Sequence, residues 1–168
     1  MAEQDFVDCL GPLAKRARSH GLRLTLEFLP ESAIPDLATA QRIVSAVGAA
    51  NLGVMLDTWH FARTHGTGEQ LRAVPRGLIS GLQISDRREP PPGTPYAPMF
   101  GRLLPGDGEL PLVPLLRDLL GREPGLTVGV EVFSEELKAL APQEAAARVA
   151  LSTSKVLKEV RGGLVPSP

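Results

Sequence analysis

The sequence predicts an α/β protein in which a parallel sheet of four strands is covered by helices. Two observations carry this. Segments with apolar residues at helical spacing alternate along the 168 residues with short runs of Leu, Val, Ile and Gly. Those short runs are apolar at almost every position, as in strands buried on both faces. A half-solvated antiparallel sheet would show alternation instead. Four such strands fit a small open sheet or part of a barrel.

Each element has its own signals. Residues 3–20 place apolar side chains at helical spacing and gather Lys15, Arg16 and Arg18 at the end where the dipole favours cations. Gly11-Pro12 predicts a kink or a late start, and His20-Gly21 a stop. Strand-like LRLTLEF follows, closed by Pro30. Asp36 caps the next helix, and Gly48 ends it. NLGVMLD is a short buried strand, TGEQLRAVP a brief helix, LISGLQIS the third strand and LPLVPLLRDLLG a full helix. LTVGVEVF is the last strand, and the terminal helix enters at Pro142. One domain is expected over 1–162, with a flexible tail over 163–168. From Arg87 to Pro105 the chain is rich in Pro and Gly without periodicity, and loops of that length usually carry function.

Four polar residues break the apolar strands near their C-terminal ends: Glu27, Asp57, Gln83 and Glu131. A carboxylate buried there is costly unless paired or bound to a cation. Four at the same end of successive strands point to one shared site, and that edge hosts active sites in barrels and open sheets alike. Three carboxylates and an amide oxygen are hard donors suited to Mg²⁺ or Mn²⁺, less selectively Co²⁺, whereas Zn²⁺ more usually takes imidazole or sulfur. His60 follows in D-T-W-H, spaced to look into the same cavity as a ligand or as a donor to substrate, against the plainer reading of an exposed loop imidazole. Trp59, the single tryptophan, offers an apolar wall for a sugar face, or simple core packing. Arg102 and Arg87-Arg88 could reach a substrate oxygen, against the plainer reading of solvated charges, and Asp86 can orient Gln83 or His60 or cap a turn.

Composition narrows the classes. A net charge of −1 gives no electrostatic footprint for nucleic acid or an anionic membrane. The single Cys9 excludes an intramolecular disulfide and fits a reducing compartment. No apolar run reaches the roughly 18 residues of a membrane span, and no signal peptide pattern appears, so a cytoplasmic protein is expected.

The run LGVMLDTWHF, then GLQISD, R-x-L-P-G-D-G-E-L and VGVEVFSEEL, resembles the sugar isomerase/epimerase superfamily with a xylose-isomerase-like TIM barrel, most of all its inosose (2-keto-myo-inositol) isomerase type. The resemblance covers about residues 3–160 and implies the C-terminal half of a (β/α)8 barrel, strands five to eight. It implies a divalent metal on Glu27, Asp57, Gln83 and Glu131, with Gln83 standing where His is commoner. It makes Glu27 and Glu131 the acid/base pair of enediolate proton transfer on a keto sugar or inosose. His60, Arg102 and Trp59 fall to the substrate. A whole barrel needs about 250 residues. The expectation is therefore a homodimer, a separate N-terminal half, or a fragment. An inactive remnant that binds metal or a partner chain is the non-enzyme alternative. Phosphodiester hydrolysis is disfavoured, since its metal cluster needs more than the three histidines present.

Overall fold

A computed structural model describes residues 2–95 and 101–163. Four parallel strands form the sheet: β1 (Leu24–Glu27), β2 (Leu52–Asp57), β3 (Ile79–Ile84) and, after a small ribbon of β4 (Asp86–Arg87) and β5 (Arg102–Leu103), β6 (Val128–Val130). Their spatial order is β1-β2-β3-β6, so each main strand lies beside the next in sequence. That is the connectivity of a run of βα units, half the strand count of a closed (β/α)8 barrel.

The helices are α1 (Glu3–Ser19), α2 (Leu37–Val47), α3 (Thr58–Arg63), α4 (Gly68–Ala73), α5 (Leu112–Arg122), α6 (Glu135–Lys138) and α7 (Pro142–Gly162). In α2 the cap signals act as expected: the Asp36 side chain accepts from the Thr39 amide at 2.8 Å, and Gly48 closes the helix at φ 63°. The Gly11-Pro12 pair does not divide α1, which runs unbroken through it. Proline crowds the Cβ of the residue before it, and Gly11 has none. Two short helices, α3 and α6, were not legible as separate elements. The tail expected over 163–168 lies, beyond Gly163, outside the described residues, as do residues 96–100 of the long loop.

One face of the sheet is covered. Val54 and Leu56 of β2 and Leu82 and Ile84 of β3 pack under Ala14, Ile43, Val44, Leu116, Leu119 and Val160 from the helices. Burying each such aliphatic side chain contributes about 1.5–3 kcal/mol. The opposite face carries Thr25, Met55 and Gly81 close together, and Thr25 and Met55 keep solvent contact. β1 and β6 are edge strands, each hydrogen-bonded on one side only. Asn51 ties α1 to the start of the sheet by donating to the carbonyls of Ala14 (2.9 Å) and Leu22 (3.0 Å).

The step from β2 to β3 is tight. A Cβ on Gly53 would lie 2.8 Å from the Leu78 carbonyl oxygen, a backbone atom that cannot swing aside. Gly53→Ala is therefore expected to destabilise the fold by about 1–3 kcal/mol, read as a lower urea midpoint. An unchanged midpoint would show that the β2–β3 register is looser than described.

Candidate metal centre

Asp57 is at once the last residue of β2 and the cap of α3. Its Oδ1 accepts from the amides of Trp59 at 2.7 Å and His60 at 3.4 Å. This immediate strand-to-helix turn lifts His60 onto the first turn of α3, above the strand ends. There its Nε2 lies 3.8 Å from Glu27 Oε1, at the end of neighbouring β1. Thr58 fixes the same turn to β3: its hydroxyl donates to the Ser85 carbonyl at 2.7 Å and accepts from the Ser85 amide at 2.9 Å.

From the other side comes Arg102 on β5. Its Nη1 donates to the Glu131 carbonyl at 2.8 Å, to Glu131 Oε2 at 2.9 Å and to Asp57 Oδ2 at 3.3 Å. The guanidinium lies over the rings of Trp59 (5.3 Å to the centroid) and Phe133 (5.1 Å). Asp86 holds the ribbon that presents it, accepting from the amides of Arg87 (2.7 Å), Gly106 (3.1 Å) and Leu110 (2.9 Å). Asp86 thus organises the loop, and no bond joins it to Gln83 or His60.

One donor atom from each of Glu27, Asp57, His60 and Glu131 lies within 4.8 Å of all the others. Gln83 is paired in register with Asp57 across β2 and β3. Two oxygens at the site, Glu27 Oε1 and Gln83 Oε1, are buried with no hydrogen-bond partner, as is Nδ1 of His60. Buried acceptors without donors fit a cation, since no proton donor meets them. The donor set therefore fits a divalent metal. With an imidazole among the carboxylates it falls within what Zn²⁺ accepts, so oxygen donors alone no longer argue for Mg²⁺ or Mn²⁺.

The electrostatics follow first from burial and then from the neighbouring charges. Burial pushes the Asp57 carboxyl up to about 7, Arg102 opposing it and the Glu131 carboxyl adding to it. Glu27 is raised by burial and then by the charge of Glu131. Burial, with Arg102 next, lowers His60 to about 4, so its imidazole is neutral and free to act as a ligand.

Of the residues singled out in the sequence, Glu27, Asp57, Glu131, His60 and Arg102 meet in one place. His60, assigned to substrate by resemblance, shares the candidate ligand group. Arg102, also assigned to substrate, spends Nη1 on two of the carboxylates. Trp59 is buried, and its ring is flanked by Arg63, Arg87 and Arg102. The pairing of Arg102 with Asp57 spans 45 residues and left no local signal. The approach of His60 to Glu27 was foreshadowed only by the D-T-W-H spacing. Among the described residues no helix is long and apolar enough to cross a membrane.

A run of βα units with acids gathered at the C-terminal ends of its strands defines a half barrel of the (β/α)8 class with a cation-capable site. The sequence pattern of the xylose isomerase-like TIM barrel family matches residues 1–158, and the chain belongs to that family. It is 30% identical to inosose isomerase of Halalkalibacterium halodurans over 148 residues, 85% of this chain and 51% of that protein. Inosose isomerase of Bacillus subtilis is also 30% identical, over 147 residues and 51% of its length. The chain spans about half the length of these relatives. A crystal structure of the IolI protein with a binding zinc atom superposes with a TM-score of 0.81 at 27% identity, over 94% of this chain and 57% of that one.

Because Asp57 holds its proton up to about 7, a divalent ion must displace that proton below this pH. Apparent metal affinity is expected to fall about tenfold per pH unit below that point and to level off above it. His60, protonating only near 4, adds no step in between. Calorimetry of a metal-stripped sample across this range reads the slope, and a flat profile would remove Asp57 from the ligand set.

Proposed function

We propose that this chain forms the metal-binding half of an isomerase or epimerase acting on a small keto sugar or inosose. The observation that carries the reading is the convergence of Glu27, Asp57, His60 and Glu131 within 4.8 Å at the ends of the strands. Membership of the xylose isomerase-like family and the inosose isomerase relatives support the same chemistry. Asp57, Glu27, Glu131 and the neutral His60 would hold the ion, with the partnerless oxygen of Gln83 as a further donor. The identity of the metal stays among Mg²⁺, Mn²⁺, Co²⁺ and Zn²⁺.

A bound divalent ion supplies polarisation of an α-hydroxycarbonyl, which acidifies the adjoining C–H. The proton itself is the business of the side chains. Glu27 and Glu131 come from opposite edges of the sheet, and each keeps about a third of its side chain exposed (32% and 30%). One removes a proton from carbon and the other returns it to the neighbouring carbon or the opposite face, through an enediolate. The raised affinity of Glu27 for a proton brings it nearer to that task at neutral pH.

Turnover also requires the uncovered face of the sheet to be closed, by a second copy of this chain, by a separate N-terminal half, or by further residues of a longer chain. Light scattering tests the first: twice the 17.9 kDa chain mass favours the second copy, and a monomer argues against it. A half barrel that binds metal without turnover is the alternative reading.

The reading is tested by solvent exchange. Ketoses and inososes incubated with the metal-loaded protein in D₂O are expected to gain deuterium at the carbon next to the carbonyl. Glu131→Gln should cut that rate by about 10²–10⁴-fold with the fold intact by circular dichroism. Exchange that survives the change would end the proton-transfer role of Glu131.

A further inference from the structure

Arg102 is the one feature of the site that a metal-binding reading leaves unexplained. Its side chain is 1% exposed, as is that of Asp57, and Nη1 takes Asp57 Oδ2 and Glu131 Oε2 together. Asp57 has no second oxygen to spare, because Oδ1 already caps α3. Any ion bound by Asp57 therefore meets the oxygen that Arg102 holds. The same is true of Glu131 Oε2, the oxygen that Arg102 bonds at 2.9 Å.

The geometry points to Arg102 as the resident counter-cation of the metal-free site, exchanged for the metal when it binds. The inference rests on the reading that the four-residue group binds a divalent ion. Two features suit an exchange better than a permanent tether. The guanidinium already lies against Trp59 at 5.3 Å and Phe133 at 5.1 Å, so it can stay over those rings after Nη1 releases the two carboxylate oxygens. Arg102 also donates to the Glu131 backbone carbonyl at 2.8 Å, a bond that does not compete with a metal. The physical reason for a counter-cation is the site itself: three acids gathered with Asp57 buried are costly without a positive charge. Arg102 keeps the empty site folded, and each metal ion must displace it, which weakens apparent affinity by the fraction of molecules in which it is engaged.

The test uses the full chain stripped of metal by a chelator. In calorimetry, Arg102→Met is expected to bind Mn²⁺ at least about tenfold more tightly than the parent, because the competing charge is gone. Without metal the variant should melt at a lower temperature than the parent, and saturating Mn²⁺ should close the gap. Equal or weaker binding by Arg102→Met would overturn the inference and make Arg102 a residue that orients the carboxylates. If the variant fails to fold, the parent protein decides. Trp59 is the single tryptophan, and one equivalent of Mg²⁺, which does not quench by paramagnetism, should shift its emission as the guanidinium moves. Saturable Mg²⁺ binding with unchanged emission would overturn the inference equally. Should neither protein bind metal, the proposed function falls with it. Should the parent bind and the variant gain nothing, only the exchange falls.

Discussion

Everything at the strand ends depends on bringing three carboxylates together where one of them, Asp57, is almost wholly shielded from water. Bare, such a group is unfavourable, since desolvation and mutual repulsion act in the same direction. The structure answers with fixed donors and one cation. The amides at the start of α3 take one oxygen of Asp57, and Arg102 takes the other together with Glu131. The β4–β5 ribbon exists, in this sense, to deliver that cation. Asp86 nails its base to the loop through three backbone amides, so that Arg102 arrives from outside the sheet at a set height.

The half-barrel form shapes the site as much as the charges do. Helices cover the face carrying Val54, Leu56, Leu82 and Ile84, and no element of the described chain covers the face carrying Thr25 and Met55. Glu27 lies on one edge strand and Glu131 just beyond the other, which is why both keep solvent contact while Asp57, on a central strand, does not. Closure by four further strands would bury the same two glutamates more deeply. For Glu27 the added burial would act in the direction its carboxyl already shows, towards holding its proton.

The fold was legible where the signal was local. Largely apolar runs marked the four parallel strands, Asp36 and Gly48 bounded α2, and the polar breaks marked one end of the sheet. The late start that Pro12 suggested did not occur, since α1 runs from Glu3 through it. The loop after β3 read as unstructured because its ribbon is held by one buried aspartate and not by side-chain periodicity. Of the site, the acids and His60 were visible as residues, but their partners were not. Which oxygen meets which cation is decided by contacts between segments 29 to 45 residues apart, and nothing in a local window encodes them.

Burial divides the acids by role more sharply than residue type does. Asp57 has both oxygens committed and no path to solvent, so a proton once lost could return only by breaking the α3 cap or the Arg102 pair. On the proposed reading it serves as a fixed ligand and not as a shuttle. Glu27 has a buried oxygen with no partner, while about a third of its side chain (32%) keeps solvent contact. Glu131 keeps about a third of its side chain exposed (30%), and its Oε2 accepts from Arg102. Withdrawal of that guanidinium would free Glu131 Oε2 at the same moment as it freed Asp57 Oδ2. The counter-cation of the empty site and the release of the second glutamate for proton transfer would then be one event. Glu131 would then be held back as a base until the metal arrived.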